Sequence, residues 1–108
     1  MAALTKITDA ELLVNVRKLN GYSPYSDDAI TLYIEDVKYD LLDAGVHEVA
    51  VNSRVAIGTI ARGVDDMWSN GGGTVNLSPA YKERVKRLAL SYPKSDELSH
   101  AESEAIND

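Results

Sequence analysis

The residues of this chain whose types and spacing could do chemistry fall in four places. Gly71-Gly72-Gly73 stand just before a Ser78-Pro79 pair; His47 and His100 are the two histidines; Asp65-Asp66 form a carboxylate doublet; and residues 82–87, KERVKR, hold four bases and one acid. A phosphate-cradling loop needs glycines at fixed offsets, a buried strand before them and a Lys-Ser/Thr pair opening the next helix. Here the glycines are contiguous, a helical pattern precedes them, and the proline opening the helix removes one of the N–H donors an anion requires. Neither histidine has a second ligand at helical spacing, so both are expected to be solvent-exposed. Consecutive helix positions such as 65 and 66 point about 100° apart and do not share a proton easily. Cysteine is absent, which excludes disulfides, thiolate metal sites and cysteine nucleophiles. With no nucleophile–base pair and no metal cluster, the sequence reads as no enzyme, with no catalytic residue, metal or cofactor.

The basic run is the one remaining element with a direct chemical use. Lys82, Arg84, Lys86 and Arg87 on an amphipathic helix over 79–92 can lie along a phosphate backbone and release counterions. Against that, the chain carries a net charge of −6, and the connection before this helix is too long for a helix-turn-helix. A small nucleic-acid-binding helical regulator is therefore the alternative reading rather than the leading one.

The elements that must position these residues are helices. Thr8-Asp-Ala-Glu11 has the form of a capping box. Leu12, Val16 and Leu19 follow on one face, with Leu13 beside them, and Gly21 and Pro24 stop the helix. Ser26 caps a longer helix, with Asp27 and Asp28 at its positive end. Its buried stripe reads Ile30, Tyr33, Ile34, Val37, Leu41 and Ala44, ending at Gly45. Leu32 and Tyr39 lie on the opposite side among Glu35, Asp36 and Asp43. The stretch VHEVAV, 46–51, is either extended or a lead-in to a third helix. From about Ser53 that helix places Ile57, Ile60, Ala61, Val64, Met67 and Trp68 together, with Arg62 and Asp66 paired i,i+4 on the other side. Gly58 and Gly63 predict close helix–helix packing. Ser78 caps the last helix with proline at its first position, a strong start signal; Tyr81, Val85, Leu88, Ala89 and Tyr92 form its inner stripe, and Pro93 ends it.

The predicted fold is all-α, a small bundle of four main helices with a Gly-rich loop before the last helix and a flexible acidic C-terminal tail. Its 108 residues fit one domain over 1–92 and a tail over 93–108, poorly ordered unless bound. The tail holds Asp96, Glu97, Glu102, Glu104 and Asp108 against Lys94, a net −4 of the chain's −6. Residues 26–44 are acidic and residues 82–87 basic, an arrangement that steers identical copies into contact. No basic N-terminal region precedes an apolar stretch and no segment approaches ~20 apolar residues, so a soluble, non-secreted protein is expected.

The stretch IARGVDDMWSNGGGTVNLSPAYKERVKRLAL, residues 60–90, resembles the head–tail connector (adaptor, head-completion) proteins of long-tailed double-stranded DNA bacteriophages. Arg62, Gly63, Val64, Asp66, Trp68, Gly71, Ser78, Arg84, Val85 and Leu88 match that family's helix, Gly-rich loop and Ser-capped final helix. The resemblance covers roughly residues 8–92 and does not extend into the tail. It implies a virion protein, made in the host bacterial cytoplasm and located in the neck at the head–tail interface. Such a protomer forms a homo-oligomeric ring, commonly twelve copies, beneath the portal protein. The ring binds the next neck or tail-completion protein and extends the channel through which DNA passes only as passenger; no membrane is involved.

On this reading Leu32, Glu35, Asp36, Tyr39 and Asp43 meet Arg84 and Arg87 of a neighbouring copy. The loop Asn70, Gly71, Gly72, Gly73, Thr74, Val75 and Asn76 becomes ordered against a partner in the assembled neck. Leu98 and Ile106 anchor the tail on the portal or a neighbouring subunit.

Overall fold

A computed structural model of the chain describes residues 4–21, 25–69 and 77–94. The described residues are helical: α1 Asp9–Asn20, α2 Asp27–Asp43, a single-turn α3 Glu48–Val51, a 3-10 turn Arg54–Ala56, α4 Ile57–Ser69 and α5 Pro79–Ser91. The four longer helices are the four read from the sequence. The ambiguous 46–51 stretch resolves into the one-turn α3 and its entry, and α4 begins only at Ile57, after the 3-10 turn.

Side-chain caps set most of the starts. Thr8 Oγ1 accepts from the Glu11 N–H at 3.1 Å while Glu11 Oε1 accepts from the Thr8 N–H at 3.0 Å, so two of α1's orphan donors are satisfied reciprocally. The Thr8 backbone N–H first, and then the Thr8 hydroxyl, hold the Glu11 carboxyl below its usual range. Ser26 accepts from Ala29 N–H and Ser78 from Tyr81 N–H, each at 3.2 Å. His47 Nδ1 accepts from Val49 N–H at 3.0 Å and opens α3. Expected to be solvent-exposed, it is half-buried and serves as a cap. Gly21 at φ 72° and Gly45 at φ 96° turn the chain out of α1 and α2 in the left-handed region.

Helix α4 lies at the centre and packs against α1, α2 and α5. Its buried residues, Ile57, Thr59, Ile60, Ala61, Gly63, Val64, Asp66 and Met67, take up more than one face, as a central helix must. Gly63 explains how α2 and α5 come so close to it. A Cβ there would stand 2.7 Å from the Tyr81 ring and 2.9 Å from a Val37 methyl, so the side chains of both neighbours fill the notch. The close approach that the glycine predicted is one of side chains onto backbone.

Around this helix the core gathers Leu12 and Val16 of α1, Ile30, Ile34, Val37 and Leu41 of α2, and Tyr81, Val85 and Leu88 of α5, all buried. Two expected core positions, Leu19 and Ala44, are exposed, and four, Tyr33, Trp68, Ala89 and Tyr92, are only half-buried. Leu19 is 61% exposed although it shares a face with Leu12 and Val16; the last turn of α1 meets α4 through Asn20, whose side-chain amide donates to Ala61 C=O at 2.8 Å. Ala44 is exposed because α2 has already ended at Asp43. Trp68 is half-buried in the last turn of α4. It stacks on Tyr25 with centroids 5.7 Å apart and donates its indole N–H to Asp65 at 3.0 Å.

The non-helical segments are stitched together around α3. Lys6 pairs with Ser53 and Val46 with Pro93 as isolated antiparallel bridges. Ile7 N–H donates to Asn52 C=O, Arg54 N–H to Thr5 C=O, His47 N–H to Tyr92 C=O and Lys94 N–H to Gly45 C=O. No buried side-chain polar atom among the described residues lacks a partner.

Candidate assembly surfaces

The outer face of α2 is built by periodicity alone. With Ile30, Ile34, Val37 and Leu41 turned inward, Leu32, Glu35, Asp36, Tyr39 and Asp43 must share the far side, and all five are exposed. Leu32 is 62% and Tyr39 72% exposed, large apolar side chains set among carboxylates. Asp40 leaves this group. It is half-buried toward α5, where it accepts from the Tyr81 hydroxyl at 2.6 Å.

On α5, inward placement of Tyr81, Val85 and Leu88 leaves all four bases exposed, but on two different flanks. Arg84 and Arg87 lie beside α4 and, with Thr59, Ala80, Glu83, Leu88 and Ser91, line a groove of about 420 Å³. Both are already engaged within the protomer. Arg87 pairs with Glu83 at 3.6 Å, and Arg84 Nη1 lies over α4, 3.2 Å from where a Cβ on Gly58 would be. On the other flank Lys82, Lys86 and Leu90 recur at i, i+4 and i+8 and so form one stripe. Leu90 is 74% exposed, and neither lysine forms an ion pair among the described residues.

A second groove, also about 420 Å³, runs between α2 and α3. Asp9, Thr31, Ile34, Glu35, Lys38, Tyr39, Leu42, Glu48, Val51 and Asn52 line it. It takes in Glu35 and Tyr39 of the expected surface, while Leu32, Asp36 and Asp43 lie outside it. Lys38, its one base, is held by Asp9 at 3.3 Å and Asn52 at 3.0 Å. Glu35 and Glu48 have no ion-pair partner among the described residues, so the lining keeps an acidic surplus.

The carboxylate doublet separates as its spacing requires, but Asp66 does not face outward. It is buried, accepting from the Ser78 N–H at 3.1 Å and the Ser78 hydroxyl at 2.6 Å, with Arg62 at 3.6 Å. The expected i,i+4 pair with Arg62 therefore exists, yet its acid also ties α4 to the start of α5. The residue it holds is twelve positions away, beyond what helical spacing can disclose. The cap signal at Ser78 was the one trace of it. Burial first, then the hydrogen bond to Asp40 and the charges of Asp40 and Asp66, push the Tyr81 phenol far above its usual range. Its ring is 1% exposed, so this hydroxyl acts as a structural donor closed to solutes.

No group of three or more histidine and acidic side chains suited to a metal ion occurs among the described residues. No helix among them is long and apolar enough to cross a membrane. The loop residues 70–76 and the tail positions Leu98 and Ile106 lie outside the described residues. Compared with known protein families, curated proteins and solved structures, the chain matches none of them.

Proposed function

We propose that this chain is a structural assembly protein of the phage neck, forming a closed ring that joins head to tail beneath the portal. The observation that carries the reading is a pair of oppositely charged, partly apolar faces on one protomer. The acidic outer face of α2 exposes Leu32 and Tyr39; the basic face of α5 exposes Leu90. Among the described residues no ion pair joins α2 to α5. Two different complementary faces on one chain make a heterologous contact, and such contacts close into rings when the rotation allows. The resemblance of residues 60–90 to head–tail connectors supplies the setting, with the portal above and a tail-completion protein below. Residues 70–76 and the tail anchors Leu98 and Ile106 are the further contact elements on this reading.

Mass measurement of the purified protein, alone and with a phage portal protein, tests the proposal. A discrete ring-sized species, formed alone or on the portal, is the expected result. A strict monomer under both conditions overturns it. Lys82 and Lys86, exposed and in no ion pair among the described residues, favour one alternative, a helical nucleic-acid binder. That reading requires a salt-sensitive shift of a duplex DNA probe by the monomer, lost when both lysines are changed to glutamate.

A further inference from the structure

We infer that the groove between α2 and α3 is the seat for the Lys82–Lys86–Leu90 stripe of α5 from a second copy of this chain. The inference rests on the assembly reading and gives its lateral contact a donor face and a receptor. Three observations converge on this occupant.

The first is charge. The groove is lined by Asp9, Glu35 and Glu48 against Lys38 alone, and that lysine is committed to Asp9 and Asn52. The stripe offers two ammonium groups with no ion-pair partner of their own among the described residues. Burying one set against the other removes the acidic surplus of the groove and gives both lysines partners.

The second is apolar matching. Ile34, Tyr39, Leu42 and Val51 give the groove an apolar lining, and Tyr39 is mostly exposed. Leu90 projects from the stripe with 74% of its surface exposed. A helix face read as i, i+4, i+8 in an apolar groove is a common mode of helix recognition.

The third is length. The stripe spans about 12 Å along α5, and the groove's α2 wall from Thr31 to Leu42 spans about 16 Å. The stripe is therefore no longer than the groove wall that would receive it.

The same geometry ranks the four bases of α5. Arg84 and Arg87 sit on the α4 flank, one laid over Gly58 and the other paired with Glu83, so using them in a lateral contact would first break contacts within the protomer. Lys82 and Lys86 have no ion pair among the described residues to release. Stripe and groove occupy different faces, so a copy can give its stripe to one neighbour and take that of another.

The absence of native cysteine makes the contact directly testable. A chain carrying Tyr39→Cys and Leu90→Cys should give, on mild oxidation, a ladder of head-to-tail multimers ending in a closed species. Each single variant should stay uncrosslinked. A ladder obtained instead from Tyr39→Cys with Arg84→Cys or Arg87→Cys overturns the inference and leaves the ring standing. Rings that form but crosslink through none of these pairs overturn it likewise. Absence of any oligomer by mass, with no crosslink, overturns both it and the assembly reading. As a second measurement, Lys82→Glu with Lys86→Glu should weaken self-association at least tenfold, and Glu35→Lys with Glu48→Lys in the same chain should restore it. Unchanged association in the glutamate variant overturns the inference.

Discussion

Helices α4 and α5 are each 13 residues long, and the bundle uses them in opposite ways. Most of α4 is buried, including a glycine, a threonine and an aspartate. On α5 only Tyr81, Val85 and Leu88 are buried, and its charged side chains face solvent. α4 has little surface left for any partner. α5 is held by one buried aromatic, two aliphatics and two hydrogen-bonded acids, and presents the rest. The contrast teaches where function can reside in a domain this small: on a helix that leaves most of its side chains in solvent.

Four measurements sharpen or break this contrast. The largest effect belongs to α2 against α4: Leu41→Ala should cost about 2–5 kcal/mol in denaturant unfolding, and Leu88→Ala on α5 only the low end of that range. Equal losses would show that α5 is as integral as its neighbours. Next come the two glycines of α4. Gly63→Ala forces a methyl into Tyr81 and Val37 and should destabilise by about 1–3 kcal/mol. At Gly58 the obstacle is the movable end of Arg84, so Gly58→Ala should gain up to about 1 kcal/mol from helix propensity. A stable Gly63→Ala variant would contradict the notch.

Asp66→Ala leaves Ser78 without its carboxylate partner and should cost about 1–3 kcal/mol. Hydrogen exchange should rise first in α5 while α1 stays protected; uniform loss across all helices would argue against a separately tethered α5. The smallest effect is that of Tyr81→Phe, about 1 kcal/mol at neutral pH through the bond to Asp40. The folded state holds the Tyr81 proton more tightly than the unfolded chain, whose phenols ionise near pH 10. Stability from this group is thus complete below that pH and declines as the pH rises above it. The difference between wild type and Tyr81→Phe should shrink above about pH 10. A gap constant with pH would mean that the raised phenol is not coupled to folding.

Much of this arrangement was legible from short-range signals. Thr8 and Glu11, Ser26 and Ser78 announced three helix starts because a cap is written within four residues. The inner stripes of α2 and α5 followed from period alone, and so did the exposed α2 face. Legibility failed where the governing partner is remote. Asp66 was read as a surface partner of Arg62, since spacing within a helix cannot show that Ser78 returns to it. Tyr81 was recognised as core but not as the donor to Asp40, which lies 41 positions earlier. Leu19 and Ala44 fitted the period, but period alone does not decide burial at a helix end: α2 stops before Ala44, and Asn20 rather than Leu19 meets α4. The split of the α5 bases into a pair on the α4 flank and a pair on the far flank also depends on which side α4 takes.

The two isolated bridges around α3 have a mechanical consequence. Residues 5–7 and 92–94 are fastened to opposite ends of the same short segment, 45–54. Tension applied across the described body therefore has a short path through a few backbone hydrogen bonds and that segment, without passing along any of the long helices. Under load this clasp should give way first, and the bundle would bear the force only afterwards. A pull from either side is thus met by a replaceable fastening before it reaches the core.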